Sequence, residues 1–304
     1  MAMELLNFQM PPFTRTVFAS KEAKDEWAVR LDNAQDLFTK LEQLSVKRGL
    51  RSCTTVYIPH DKLEEKAKEF EEEGLYFTPA RKVNTHNGFT ITHGHLDERQ
   101  PWQWFGALSS NKQDSERWVR AYHEYDHETM GTLLGYPECC KKFFQEKWIK
   151  GYIDPVWQQA ENTHNSTRRD INDKTIYLNN SDNWQSNQLL KYISIRLVPH
   201  ISCSMDCKAT QEQATKWAEI YIDEYGYDDD MKTVEEVLSM PVEWSALHGI
   251  SYIVTPIFKI ETNSVACHPK YTVQLNGKHY PEESATGLHF PFLNPLMKKT
   301  KAKC

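Results

Sequence analysis

Four cysteines in two short segments are the residues best suited to do chemistry in this chain. In LGYPECCKKFF, residues 134–144, Cys139 and Cys140 stand together just behind a Gly-Tyr-Pro turn. In HISCSMDC, Cys203 and Cys207 are separated by three residues, with His200 three residues upstream of Cys203. A cysteine serves a metal as its thiolate. The start of a helix favours that form, because unpaired N–H groups and the helix dipole stabilise negative charge. Both pairs fall where helices are expected to begin. Pro137 suits the first turn of a helix over PECCKKFFQEKWIKG, and Ala209, Ala214, Trp217, Ala218 and Tyr221 mark an amphipathic helix opening beside Cys207.

Four thiolates gathered from two helix starts suffice for one tetrahedral zinc or one iron–sulfur cluster. A CC or a C-x3-C alone arises by chance on the order of one time in six, so the stronger signal is their coincidence at two helix starts. Consecutive helix residues diverge by about 100°, which is awkward for a small zinc knuckle. The sequence therefore leans towards a larger iron–sulfur cluster, of the 4Fe–4S kind, over zinc. Thr210 stands where a C-x3-C-x2-C run would need its third cysteine, which disfavours radical-SAM chemistry. His200 is expected as a reserve ligand or as a donor behind the ligands.

A rival lies at His123-Glu124-Tyr125-Asp126-His127, which fits H-E-x-x-H. In a zinc peptidase two histidines one turn apart hold the metal and the glutamate activates water. The charge of Asp126 inside the motif and the lack of an identifiable third ligand count against that reading. A milder version puts His123 or His127, a few turns before Cys139, in the same cavity as an acid/base residue, and Glu124 stays a catalytic candidate beside them.

GYPECCKKFF, HISCSMDC and EWSALHGISYIVTP together resemble the motifs of a poorly characterised prokaryotic protein family with a GYPxCC, HxxCSxxC and WSALHG pattern. The resemblance covers roughly residues 130–260. It implies that the three segments form one site, without supplying a reaction. Within the third motif Trp244, Ser245 and His248 are the residues to watch, with Ser245 and His248 as candidate groups on the substrate side.

The whole chain sets bounds on these readings. At 304 residues, 39% hydrophobic and 26% charged, it can bury a large core as one or two domains. The start MAMELLNFQMPPFTRTVF lacks the basic opening and apolar run of a secretory signal, and no stretch reaches the length of a membrane span. A cytoplasmic protein is expected, in which seven cysteines are not paired as disulfides. A net charge of −6 argues against wrapping nucleic acid over the whole surface, and the one basic block, KKTKAKC, reads as a solvated terminus. Phosphate-loop, dinucleotide and α/β-hydrolase signatures are missing.

The elements expected to position the cysteines are mixed. Residues 21–46 read as a helix with Trp27, Leu31, Ala34, Leu37, Phe38 and Leu41 on one face. TTVYIPH and GFTITHGHL read as strands, and KLEEKAKEFEEEG as a helix stopped by Gly74. One helix is expected from Asp114 to Leu134, and a long polar loop from Gln158 to Asn187. GISYIVTPIFKI and YTVQLNGKHYP read as β, the latter with an Asn276-Gly277 hairpin turn.

The sum is an α+β fold with a mixed part over 1–110 and a cysteine-bearing part over 111–304 closed by a β region. The expected function is a metalloprotein, an enzyme acting on a small-molecule or nucleotide substrate, with base modification as one direction. A non-catalytic domain stapled by structural zinc is the alternative of a different class.

Overall fold

The computed structural model describes residues 13–84, 96–149, 155–164, 167–170, 175–179, 181–247 and 250–262, with short strands at 273–275, 278–280, 282–284 and 287–289. The chain opens with β1 (Thr14–Phe18), α1 (Lys21–Lys47), β2 (Cys53–Pro59), α2 (Leu63–Glu72), β3 (Tyr76–Asn84) and β4 (Trp102–Ser109). A helical run follows: α3 (Lys112–Glu124), α4 (His127–Leu133), α5 (Glu138–Phe144) and α6 (Pro155–Glu161). Then come β5 (Thr167–Asp170), β6 (Thr175–Leu178), α7 (Lys208–Tyr225), α8 (Asp229–Ser239), β7 (Val242–Leu247), β8 (Ile250–Val254) and β9 (Phe258–Thr262). Two short antiparallel pairs, β10 (Val273–Leu275) with β11 (Lys278–Tyr280) and β12 (Glu282–Ser284) with β13 (Gly287–His289), close the described part.

The fold is α+β, built on two antiparallel sheets. The larger runs β1-β9-β8-β7-β6-β5, and the smaller runs β2-β4-β3. Against the larger sheet lie α1, α7 and α8. Ser20 caps α1 by accepting from the Ala23 amide, and all six apolar positions of its expected face are buried. On α7, Trp217 and Tyr221 share a face one turn apart and join Trp244 and Phe258 in the same core. Burying each such ring contributes about 2–3 kcal/mol. On the smaller sheet, Cys53, Val83, Phe105 and Ala107 pack with Trp118 of α3 and with Leu133 and Leu134 at the end of α4.

The two cores do not divide at residue 110. α1 belongs with the C-terminal sheet, β1 pairs with β9, and α3 and α4 cover the N-terminal sheet.

Two local expectations are corrected. The segment from Gln158 to Asn187 is no long loop: it carries the end of α6, β5, β6 and a 3-10 turn at Ser181–Ser186. Its polar composition misled, because the amides of Gln158, Gln159 and Asn187 are buried rather than solvated. The expected helix from Asp114 to Leu134 is two helices, broken at Tyr125, whose φ of 57° is left-handed. Asp126 then caps α4 by accepting from the Thr129 amide at 3.0 Å. The strand expected at GFTITHGHL, apart from Leu96, and the Asn276-Gly277 turn lie outside the described residues, although the strands flanking that turn are paired.

Candidate metal centre

The sulfurs of Cys139, Cys140, Cys203 and Cys207 lie within 4.8 Å of one another. Cys139 is 3.8 Å from Cys140 and 3.7 Å from Cys207, and Cys140 is 3.8 Å from Cys207. Cys139 and Cys140 occupy the first turn of α5, where Pro137 is the N-cap, and Cys207 is the N-cap of α7. Cys203 reaches in from the turn just before it. No disulfide joins them. Adjacent helix residues do converge here, against the expectation from their 100° divergence. At the first turn side chains are not confined by a preceding turn of helix, so two neighbours can lean towards one point.

The aim of α5 is set by the turn that precedes it. Helix α4 ends in a Schellman motif: the Tyr136 amide donates to the Gly131 carbonyl at 2.9 Å and the Gly135 amide to Thr132 at 3.0 Å. Gly135 takes the left-handed φ of 70° that this motif needs, and a Cβ there would meet the Cβ of Arg51 at 2.8 Å. Gln213 of α7 donates to the Gly135 carbonyl at 2.9 Å, tying the turn to the helix that carries Cys207. Lys141 clamps α4 against α5. Its buried ammonium reaches Glu128 and Glu138, each at 2.5 Å, and Thr132 at 2.8 Å. A side chain at Gly131 would collide with the Lys141 stem at 2.9 Å.

The loop bearing Cys203 and Cys207 is held by the end of α6. Gln159 donates to the Ser202 carbonyl at 2.8 Å and Asn162 to the Cys203 carbonyl at 2.9 Å. The Thr163 hydroxyl accepts from the Met205 amide at 2.8 Å. These side chains satisfy backbone groups that a loop could not bury alone.

Behind the sulfurs lies a buried polar layer. The Thr210 hydroxyl is 3.5 Å from the Cys140 sulfur and 2.9 Å from His200 Nε2. A hydroxyl that donates to a thiolate accepts from an Nε2–H, so a metal-bound Cys140 would fix the histidine tautomer. Burial pushes His200 down to about 4, although the nearby Cys207 pulls it the other way. His200 is thus one hydroxyl removed from the sulfurs and is not one of the four clustered ligands. Arg51, with its side chain wholly buried, bonds Ser45 and Glu42 and lies over the Trp217 ring at 4.6 Å.

Among the thiols themselves charge is shared unequally. Cys207 is pulled far down by the thiols of Cys140 and Cys203, which donate to it, and Cys140 is pushed up by its contacts with Cys203 and Cys207 and by burial. Four thiols this close cannot all ionise without a cation between them.

The rival H-E-x-x-H does not lie on one helix. His123 is on α3 and His127 on α4, with the break at Tyr125 between them, so one continuous helix does not present both. His123 and Glu124 are exposed, and among the described residues the four cysteines form the one group with metal-ligand spacing. In the third motif Trp244 is a fully buried core residue of β7, and Ser245 follows it, opposite Thr175 and Tyr252, on the other face of the sheet. His248 lies outside the described residues. Sequence reasoning missed Gln159, Asn162, Thr163 and Arg51, which have no local signal linking them to the cysteines, and Lys141, whose i,i+3 pairing with Glu138 beside Cys140 was legible. Thr210, three residues after Cys207, could have been found from helical spacing.

No protein-family model matches the chain, no curated protein matches it, and no solved structure matches it. What is established rests on the molecule itself: four cysteines from two helix starts and one turn that could hold a metal ion. No helix among the described residues is long and apolar enough to cross a membrane.

Proposed function

We propose that this is a zinc protein in which one ion, bound by Cys139, Cys140, Cys203 and Cys207, joins the start of α5 to the start of α7 as a structural staple. The carrying observation is the sulfur spacing. The edges of 3.7 and 3.8 Å among Cys139, Cys140 and Cys207 match one face of a tetrahedron, whose edge is about 3.8 Å when metal–sulfur bonds are about 2.3 Å, and Cys203 lies within 4.8 Å of the other three. A 4Fe–4S cluster puts each thiolate on its own corner iron, which spreads the sulfurs to about 6 Å. The spacing therefore favours a single ion over the cluster that the sequence suggested.

Four protein sulfurs also complete the coordination of a tetrahedral ion and leave no position for water or substrate, the pattern of a structural site. Thr210 would donate to Cys140 and neutralise part of the excess thiolate charge. The ion would supply the cation that four close thiolates require, and the link it makes would be folding free energy. This reading assigns no reaction and no substrate.

The test is elemental analysis with an absorption spectrum on protein purified without oxygen. One zinc per chain and no colour is expected. Iron with acid-labile sulfide and a broad band at about 400 nm would replace the staple with a cluster, and iron without sulfide would keep the geometry with another metal.

A further inference from the structure

We propose that the centre is a peroxide-responsive thiol switch in which Cys139 is the reacting sulfur and Cys207 the resolving one; this rests on the four-thiolate reading above. The four sulfurs are not equally reachable. Cys139 is exposed, Cys203 is partly covered, and Cys140 and Cys207 are buried. A peroxide arriving from solvent meets Cys139 first, and nucleophilic attack on it needs a thiolate that solvent can reach. The sulfur of Cys207 stands only 3.7 Å behind it.

The chemistry balances with a hydroperoxide as oxidant. The Cys139 thiolate attacks one peroxide oxygen, the S–O bond forms as the O–O bond breaks, and the departing alkoxide or hydroxide takes up a proton. Cys139 is then a sulfenic acid. The Cys207 thiolate attacks that sulfur, the S–S bond forms, the S–O bond breaks, and hydroxide leaves to be protonated to water. Two thiolates have together lost two electrons to the peroxide. With two of its four ligands consumed, the ion has only Cys140 and Cys203 left.

Two sulfurs stand equally near Cys139, and the backbone chooses between them. A bond to Cys140 would close a small ring around one peptide bond, inside a turn held by the Cys140 and Lys141 amides donating to Pro137 at 2.9 Å. Cys207 has extended backbone, with φ −61° and ψ 111°, at the junction of a turn and a helix. Closing its gap to a disulfide of about 2.05 Å moves that junction by less than 2 Å or so. The switch thus exchanges a metal staple between α5 and α7 for a covalent one.

The test starts from reduced, zinc-loaded protein titrated with hydrogen peroxide beside a chromogenic zinc chelator. Stoichiometric zinc release is expected in step with the loss of two thiols, and peptide mapping should recover Cys139 joined to Cys207. Cys139→Ser, with three sulfurs left, should release zinc about tenfold more slowly. Because that variant can also lose zinc on its own account, brief alkylation of the parent protein provides a second reading, and Cys139 should be labelled before the other three. Mapping to Cys139–Cys140, first labelling at Cys140 or Cys207, or zinc held through excess peroxide overturns the switch. If the purified protein holds no zinc, the staple fails. The same mapping on the reduced metal-free chain then decides the switch, since the fold itself sets the sulfur spacing.

Discussion

Gly135→Ala isolates how tightly the approach to the cysteines is constrained. Among the described residues three helices end in the same Schellman geometry with a left-handed glycine: α1 at Gly49, α2 at Gly74 and α4 at Gly135. A Cβ at Gly49 or Gly74 would meet nothing within 4 Å, whereas at Gly135 it meets the Cβ of Arg51 at 2.8 Å. All three alanine variants carry the left-handed penalty, about 1–2 kcal/mol. Only Gly135→Ala adds a collision. Arg51 cannot swing aside, because the clashing atom is its Cβ and its guanidinium is locked to Ser45 and Glu42. Overpacking of that kind costs about 1–3 kcal/mol. Gly135→Ala should therefore lose about 2–5 kcal/mol in total, against about 1–2 for Gly49→Ala. For a chain of this size that is a fall in Tm of roughly 4–15 °C, against roughly 2–6 °C for the control. The assay is thermal unfolding of both variants at saturating zinc, with a competition titration for zinc affinity. The Gly135 variant should also bind zinc more weakly, since Cys139 and Cys140 follow four and five residues later. Equal melting shifts would refute the Arg51 contact as a constraint, and unchanged zinc affinity would refute the turn as what aims the thiols.

Cys203→Ser should lose the metal and lower Tm by several degrees together, and a strong chelator should reproduce the fall in the parent but not in the variant; unequal falls would separate the ligand from the stability. The metal-free protein should lose about 3 kcal/mol of stability as pH drops, because burial holds His200 at about 4 against an ordinary 6.5. The unfolded chain takes the proton first, so this contribution is whole above pH 6.5 and is lost as pH falls through 4. His200→Gln should flatten that part of a pH series of urea melts. His123→Ala, on an exposed helix end, should leave zinc content unchanged, and loss of zinc in that variant would bring the histidine pair back into the site.

The sequence by itself determined what depends on neighbours a few residues apart. The buried face of α1, the stop at Gly74, the opening of α5 behind Pro137 and the amphipathic face of α7 all follow from helical spacing and terminal residues. So did the choice of the four cysteines, because helix starts are local. The break at Tyr125 was within reach too, as Asp126 stands three residues before Thr129 in the position of a cap. Tertiary structure decided the rest. Cys140 and Cys207 lie 67 residues apart in the chain yet 3.8 Å apart in space. Their spacing depends on the Gln213 bond across to Gly135, the Arg51 side chain under the turn, and the hold of Gln159 and Asn162 on the second loop. That spacing is what the proposed single-ion reading rests on, and no sequence period encodes it, because distances between elements are set by which side chains fill the gap when two surfaces pack.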